Sequence, residues 1–192
     1  MHQYYIVYKP FQVLSQFSPR EGKATLKGFF PLPPDIYPIG RLDFDSEGLL
    51  ILTNDRRLNH RLLDPTFAHE REYWVQVEGA ISPEALGQLE KGVVITIDGK
   101  PYTTRPAKAG PITPTIPDRI PPIRYRARIP TSWISLTLKE GKNHQVRKMT
   151  ARTGFPTLRL IRYRIEKITI EGLQPGEMRE IRMEDITLPK QS

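Results

Sequence analysis

The chain reads as a mixed α+β protein, and three observations predict that class. Strand-like runs of β-branched and aromatic residues recur at 4–8, 73–77, 133–138 and 158–165. Between them lie short helical patterns at 56–63, 82–92 and 144–153, the last two with capping residues. At 192 residues the chain suffices for one domain, or one domain in two lobes, with a substantial buried core.

The elements follow in chain order. Residues 4–8 (Tyr-Tyr-Ile-Val-Tyr) make a strand that ends at Lys9-Pro10, where proline denies the ladder a donor. A short helix is expected within 20–30, with Leu26, Phe29 and Phe30 inward. Pro31, Pro33, Pro34 and Pro38 then force an extended approach to residues 39–54. Leu49, Leu50, Ile51 and Leu52 form an apolar run bounded by turn formers, the mark of a buried strand. A helix over 56–63 places Leu58 and Leu62 on one face and stops at Pro65. Residues 73–77 alternate as a strand does. Ser82, Pro83 and Glu84 supply an N-cap, an N1 proline and an acidic first turn for a helix that buries Leu86 and Leu89 and ends at Gly92.

Residues 133–138 alternate again, and 140–143 turn the chain. A helix is expected from His144 to about Thr153, capped by Asn143 in front and Gly154 behind, with Val146 and Met149 on one face and Arg147 at its edge. Residues 158–165 form a strand carrying Arg159, Arg162 and Arg164, 168–170 another, and 177–189 a last edge strand with a polar end. There is no internal repeat.

The stretch Ile39 to Asn54 holds the densest chemistry, with Arg41, Asp43, Asp45 and Glu47 on the loop that feeds the buried strand. A carboxylate there can be held rigidly and still face a cleft. Three readings compete: a solvated turn, a calcium loop, and a catalytic carboxylate, for which Asp43 is the candidate. Asp43, Asp45, Glu47 and Gly48 match positions 1, 3, 5 and 6 of an EF-hand loop, but position 12 is Asn54 and the residues after it read as strand.

Composition narrows the field. There is no cysteine, hence no disulfide framework or thiolate metal site, and the four histidines lack metal-ligand spacing. No apolar run approaches the ~18 residues of a membrane span, and no signal-peptide pattern is present, so a cytoplasmic protein is expected. The net charge of +8 is unevenly spread: residues 101–167 carry 15 Lys and Arg against 3 Asp and Glu. Such a block is the footprint of a polyanion, with nucleic acid favoured. Within it, residues 101–130 include eight prolines punctuated by Arg105, Lys108, Arg119, Arg124, Arg126 and Arg128. They read as an extended arm without regular structure, either a flexible linker or an ordered surface for phosphates: proline lowers the entropy cost of extension and guanidinium groups fork onto phosphate.

Several motifs occur together and in order. Lys9-Pro10 follows the first strand; Gly40-Arg41-Leu42-Asp43 precedes Ser46 and Gly48-Leu49-Leu50; Tyr73 sits in Arg71-Glu72-Tyr73-Trp74-Val75; and 140–149 reads Glu-Gly-Lys-Asn-His-Gln-Val-Arg-Lys-Met. The likeness extends through Pro-Thr-Ser-Trp (130–133) and 154–163. As a set these resemble the pseudouridine synthases of the RsuA branch, which modify ribosomal RNA, and in particular members without a separate N-terminal S4 module. One departure is His144, where that branch often has arginine.

The resemblance implies a catalytic fold with a mostly antiparallel sheet in two lobes and a central cleft. It implies conversion of one uridine of large-subunit (23S) rRNA to pseudouridine, by a monomer, with no cofactor and no metal. It gives Asp43 the role of the ionised carboxylate near C1′ and C2′, and Arg147 that of its cationic partner, which favours the ionised form by ~1–3 pKa units. Tyr73 would stack on the detached uracil, with Val146 across from it, and Arg41 would fill the gap left by a flipped base. Lys9 would support the site, while Arg124, Arg126, Lys142, Arg159 and Arg162 would contact the RNA backbone. Two other readings stand beside this one: a non-catalytic RNA-binding or ribosome-assembly protein of the same fold, and a synthase acting on small-subunit or another RNA.

Overall fold

All six residues of the first strand, β1 (Tyr4–Lys9), are buried, as expected of a strand paired on both edges and covered on both faces. The computed structural model describes residues 2–124 and 126–186. It divides into two units, Met1–His69 with Ile161–Ser192, and Glu70–Leu160. After β1 the first unit continues with the two-residue strands β2 (Val13–Leu14), β3 (Ala24–Thr25) and β4 (Tyr37–Pro38), the longer β5 (Glu47–Thr53) and helix α1 (Arg56–Leu63). The second unit holds β6 (Arg71–Glu78), α2 (Pro83–Lys91), β7 (Val94–Ile97), β8 (Lys100–Thr103), β9 (Lys108–Pro111), β10 (Thr131–Leu138) and α3 (Gln145–Arg152). Strand β11 (Thr157–Ile165) begins in the second unit and ends in the first, which closes with β12 (Ile168–Thr169) and β13 (Met178–Ile181).

In the first unit β1 pairs antiparallel with β13 and β5, so that Tyr5 faces Glu180 on one side and Leu52 on the other. β5 also takes β4 antiparallel and lies parallel to β11 through Glu47–Ile161 and Gly48–Arg162. Seven consecutive residues of β5 are buried, which is why its apolar run shows no alternation. Tyr5, Val7, Leu42, Leu50 and Leu52 pack with Leu26, Phe30 and Ile36 into the core of this unit. Each such side chain contributes about 1.5–3 kcal/mol when fully buried.

Helix α1 has the bounds its pattern predicts, and Asp55 caps it. One carboxylate oxygen accepts the Arg57 and Leu58 amides at 2.9 and 3.2 Å, and the other accepts the Tyr4 hydroxyl at 3.0 Å. Burial alone would raise the Asp55 carboxyl; the bonds from Leu58, Tyr4 and Arg57 outweigh it and hold the group below its usual value.

The second unit centres on β10, antiparallel to β6 and to β9. Val75, Val77, Ile134 and Leu136 point into one cluster with Leu89 of α2 and Val146 and Met149 of α3. Ser82 caps α2 by accepting the Ala85 amide at 3.2 Å. β7 and β8 form a hairpin whose two turn residues, Asp98 and Gly99, both have positive φ (49° and 75°), the conformation a tight two-residue hairpin demands. The fold is therefore α+β, with a mostly antiparallel sheet.

Four expectations are corrected. Between residues 20 and 30 only a 3-10 turn forms, Leu26–Gly28. The backbone there is claimed by pairing instead: β3 lies parallel to β2, and the Leu26 amide donates to Gln16 O at 2.9 Å. The 101–130 segment is not wholly irregular, because β8 and β9 occupy its first third. Pro101 and Pro111 are tolerated there since β8 belongs to a two-stranded ribbon and β9 is the last strand of its sheet, positions that spare a donor. Helix α3 starts at Gln145, with His144 as its N-cap in a left-handed conformation (φ 53°) and no side-chain cap. The last edge strand is confined to β13 and is followed by a 3-10 turn, Met183–Asp185; residues 187–189 of that expectation lie outside the described residues.

Candidate active site

Asp43 sits on the loop that joins β4 to β5. Residues Tyr37 and Pro38 pair with Thr53 and Leu52, and the Ile39 amide donates to Ile51 O at 2.8 Å, so the chain runs back along β5 before turning. Gly40 makes the turn with φ 71°. Leu42 is buried, and its peptide groups are held by Ser15: the Ser15 hydroxyl donates to Leu42 O at 2.8 Å and accepts the Leu42 N–H at 3.0 Å. Asp43 follows, half-buried, and its carbonyl accepts the Ser46 amide at 3.1 Å. Arg41 and Asp45 are exposed, whereas Ser46 and Glu47 are buried. Glu47 and Gly48 already belong to β5, so an EF-hand geometry, which needs them in a continuing loop, is not formed.

Beneath this loop lies a buried cation. Lys9 is fully buried, with Nζ donating to Pro10 O and Val13 O, both at 2.8 Å. Burial is the largest influence on it and disfavours its charge; Glu47, Asp45 and Asp43 favour the charge, and Arg162 opposes it. The net result is a pKa lowered to about 7. Arg162 is also buried, its Nε donating to Leu49 O at 2.9 Å. At Gly48 (φ 107°) the two strands touch: a Cβ would lie 2.3 Å from Arg162 O, so only glycine fits.

In the second unit Tyr73 stands on β6 opposite Leu136 and packs, half-buried, against the cluster that contains Val146. Arg147 is half-buried on α3, next to Val146 and between the core residues Gln145 and Met149. The start of this helix is tied down by polar bonds. Gln145 Nε2 donates to Glu140 Oε1 at 2.6 Å, and its Oε1 accepts the Lys142 amide at 2.9 Å. Glu140 also accepts the Arg105 amide at 2.8 Å and the Tyr102 hydroxyl, a bond that raises the Tyr102 phenol above its usual value, with burial adding to it. Lys142 is exposed, with Nζ 5.1 Å from the Tyr102 ring centre.

The remaining basic candidates separate by burial. Arg159 is buried: Nη1 donates to Pro117 O at 2.9 Å and the guanidinium lies 5.9 Å from the Trp133 ring centre. Arg119 braces the same arm by donating to Pro121 O and Pro122 O at 2.8 and 3.0 Å. Arg124 and Arg126 are exposed, Arg126 Nη1 standing 3.8 Å from Glu78 Oε1. Ser15 escaped the sequence reading, and Glu47 and Glu140 entered it only as members of their motifs, without the contacts they make. Their partners are fixed by pairing and turns, and a lone serine or glutamate carries no local signal of that.

The sequence model of RNA pseudouridylate synthases matches residues 3–152. The chain belongs to the RNA pseudouridylate synthase family. It is 49% identical over 176 residues to a Vibrio parahaemolyticus protein named ribosomal large subunit pseudouridine synthase E, covering 91% of this chain and 72% of that one. A relative of the same name from Xanthomonas axonopodis pv. citri is 49% identical over 171 residues, covering 87% of both. A solved structure described as a pseudouridylate synthase matches with TM-score 0.77 at 28% identity, over 97% of this chain and 73% of that chain. The protein is thus a pseudouridine synthase, an isomerase that acts on RNA. The matched span of the synthase contains Lys9, Arg41, Asp43, Tyr73, Val146 and Arg147, while Arg159 and Arg162 lie beyond it. Among the described residues, no helix of this synthase is long and apolar enough to cross a membrane.

Proposed function

We propose that this pseudouridine synthase isomerises one uridine of large-subunit (23S) rRNA, with Asp43 as its catalytic carboxylate. The observation that carries the choice of substrate is the 49% identity to relatives named for the large ribosomal subunit. The reaction breaks the N1–C1′ bond, turns the detached uracil and forms C5–C1′; N1 gains a proton and C5 gives one up, with no change of oxidation state. In this reading Asp43 acts at C1′ or C2′, from a backbone that Ser15 and Ser46 hold on either side. Arg147 supplies the cation that favours an ionised carboxylate. Tyr73 stacks on the loose uracil, Val146 supports it, and Arg41 takes the place of the flipped base.

Exposed Arg124, Arg126 and Lys142 engage phosphates, which position the RNA without reading its sequence. Buried Lys9, Arg159 and Arg162 serve the same end indirectly by holding the loop, the arm and the strand. The enzyme works as a cytoplasmic monomer on rRNA or an assembly intermediate.

The test is tritium release from unmodified large-subunit rRNA labelled at uracil C5, comparing wild type with Asp43→Asn. Release near one tritium per RNA by wild type alone, with both proteins folded and binding RNA, is the expected result. Equal release by Asp43→Asn would sink the role of Asp43, and release only from small-subunit rRNA would sink the substrate.

A further inference from the structure

We infer that Ser15 is a positioning residue for Asp43, its single hydroxyl gripping the chain on both sides of Leu42 and so setting the direction of the next carboxylate. The inference rests on the reading of Asp43 as the catalytic group. Ser15 is only 4% exposed and lies 27 residues from Leu42 in sequence. A hydroxyl offers one proton and two lone pairs, and here the proton goes to Leu42 O while a lone pair receives Leu42 N–H. The carbonyl belongs to the Leu42–Asp43 peptide and the N–H to the Arg41–Leu42 peptide. Both planes that meet at Leu42 are therefore fixed by one atom. On the far side, the Asp43 carbonyl is engaged by the Ser46 amide. The Asp43 backbone is held at both ends, while its side chain stays half-buried.

Such a grip is only as stiff as its base. Ser15 follows directly on β2, which pairs with β3. The carbonyl of its neighbour Gln16 accepts the Leu26 amide at 2.9 Å, and the preceding loop is pinned where Lys9 binds the carbonyls of Pro10 and Val13. Leu42 itself is seated in the core with Leu50 and Leu52. The hydroxyl thus links the β2–β3 strand pair to the loop that carries Asp43.

The test uses the full-length protein and single-turnover tritium release from C5-labelled, unmodified large-subunit rRNA, with RNA affinity and melting temperature measured alongside. Ser15→Ala is expected to slow release about 10- to 100-fold, the penalty of a misplaced reacting group, with RNA affinity changed by less than about twofold. Ser15→Thr, which keeps the hydroxyl, is expected to return the rate toward wild type. A Ser15 with a merely structural role would lower the melting temperature of Ser15→Ala yet leave the rate of the folded protein unchanged, and that result would overturn the inference. Should Ser15→Ala not fold, Ser15→Cys, close in size but a weak hydrogen-bonding group, carries the same expectation and the same refutation. Asp43→Asn is run in parallel. If it is inactive while folded Ser15→Ala is unimpaired, Ser15 alone is refuted; if it turns over normally, the reading of Asp43 falls first.

Discussion

Replacing Gly48 by alanine puts the strand contact at the base of the Asp43 loop to a quantitative test. The new methyl would lie 2.3 Å from Arg162 O, 2.7 Å from its N and 2.9 Å from its C, all main-chain atoms. Ordinary contact requires more than ~3.4 Å, so β5 and β11 must part by roughly 1 Å, since no side chain is there to swing away. Overpacking of this kind costs about 1–3 kcal/mol, and holding alanine at φ 107° adds about 1–3 kcal/mol. A loss of about 2–6 kcal/mol is expected, a large share of the ~5–15 kcal/mol that stabilises a typical domain. The assay is urea unfolding, read as a fall in midpoint at unchanged slope. Gly87→Ala is the internal control: it lies in α2, has open space around it and no positive φ, and should gain about 0.5–1 kcal/mol. A loss below ~1 kcal/mol for Gly48→Ala, or equal effects for the two variants, would refute the steric argument.

Two further outcomes are expected. The pKa of Lys9 falls from 10.5 in the unfolded chain to about 7 in the folded one, so between those values the unfolded state holds more protons and stability rises with pH. Relative to Lys9→Met, wild type should gain up to about 1.4 kcal/mol per pH unit across that window, as measured by denaturant unfolding at fixed salt; a flat difference would show that Lys9 titrates normally. In the arm, Arg124→Ala should reduce the slope of log affinity against log salt for rRNA by roughly 0.7–0.9, the loss of one phosphate contact. Arg159→Ala should leave that slope unchanged and instead speed proteolysis between residues 112 and 130, because its bond to Pro117 O holds the arm; a reduced slope would place Arg159 on the RNA.

Local chemistry was a good guide for some elements and not for others: the Asn143 cap expected for α3 gave way to His144. Ser82, Pro83 and Gly92 mark the ends of α2 by groups that act within a few residues, and the helix begins and ends there. The apolar run of β5 identified a buried strand for the same reason. The Asp98-Gly99 turn carries the same kind of local signal, an Asp-Gly pair joining two short strands. What stayed hidden depends on residues far apart. Whether Arg159 and Arg162 meet solvent or a carbonyl is settled by which strand and arm lie beside them. Lys9-Pro10 is an ordinary dipeptide until the fold buries its amine beneath three carboxylates. Of the residues proposed for catalysis, Asp43, Tyr73 and Arg147 stand out through their motifs, whereas the serine that grips Leu42 lies 27 residues away in sequence and carries no local signal.

The composition of β9 has a bearing on solubility. This four-residue strand closes one end of its sheet, beginning with Lys108 and ending with Pro111. An open edge is a template for intermolecular pairing, and shortness, a lysine and a proline are each a deterrent to it. In a cell crowded with nascent and half-assembled chains, that edge offers a stray strand few partners. The proline that opens the path into the arm also guards the sheet against aggregation.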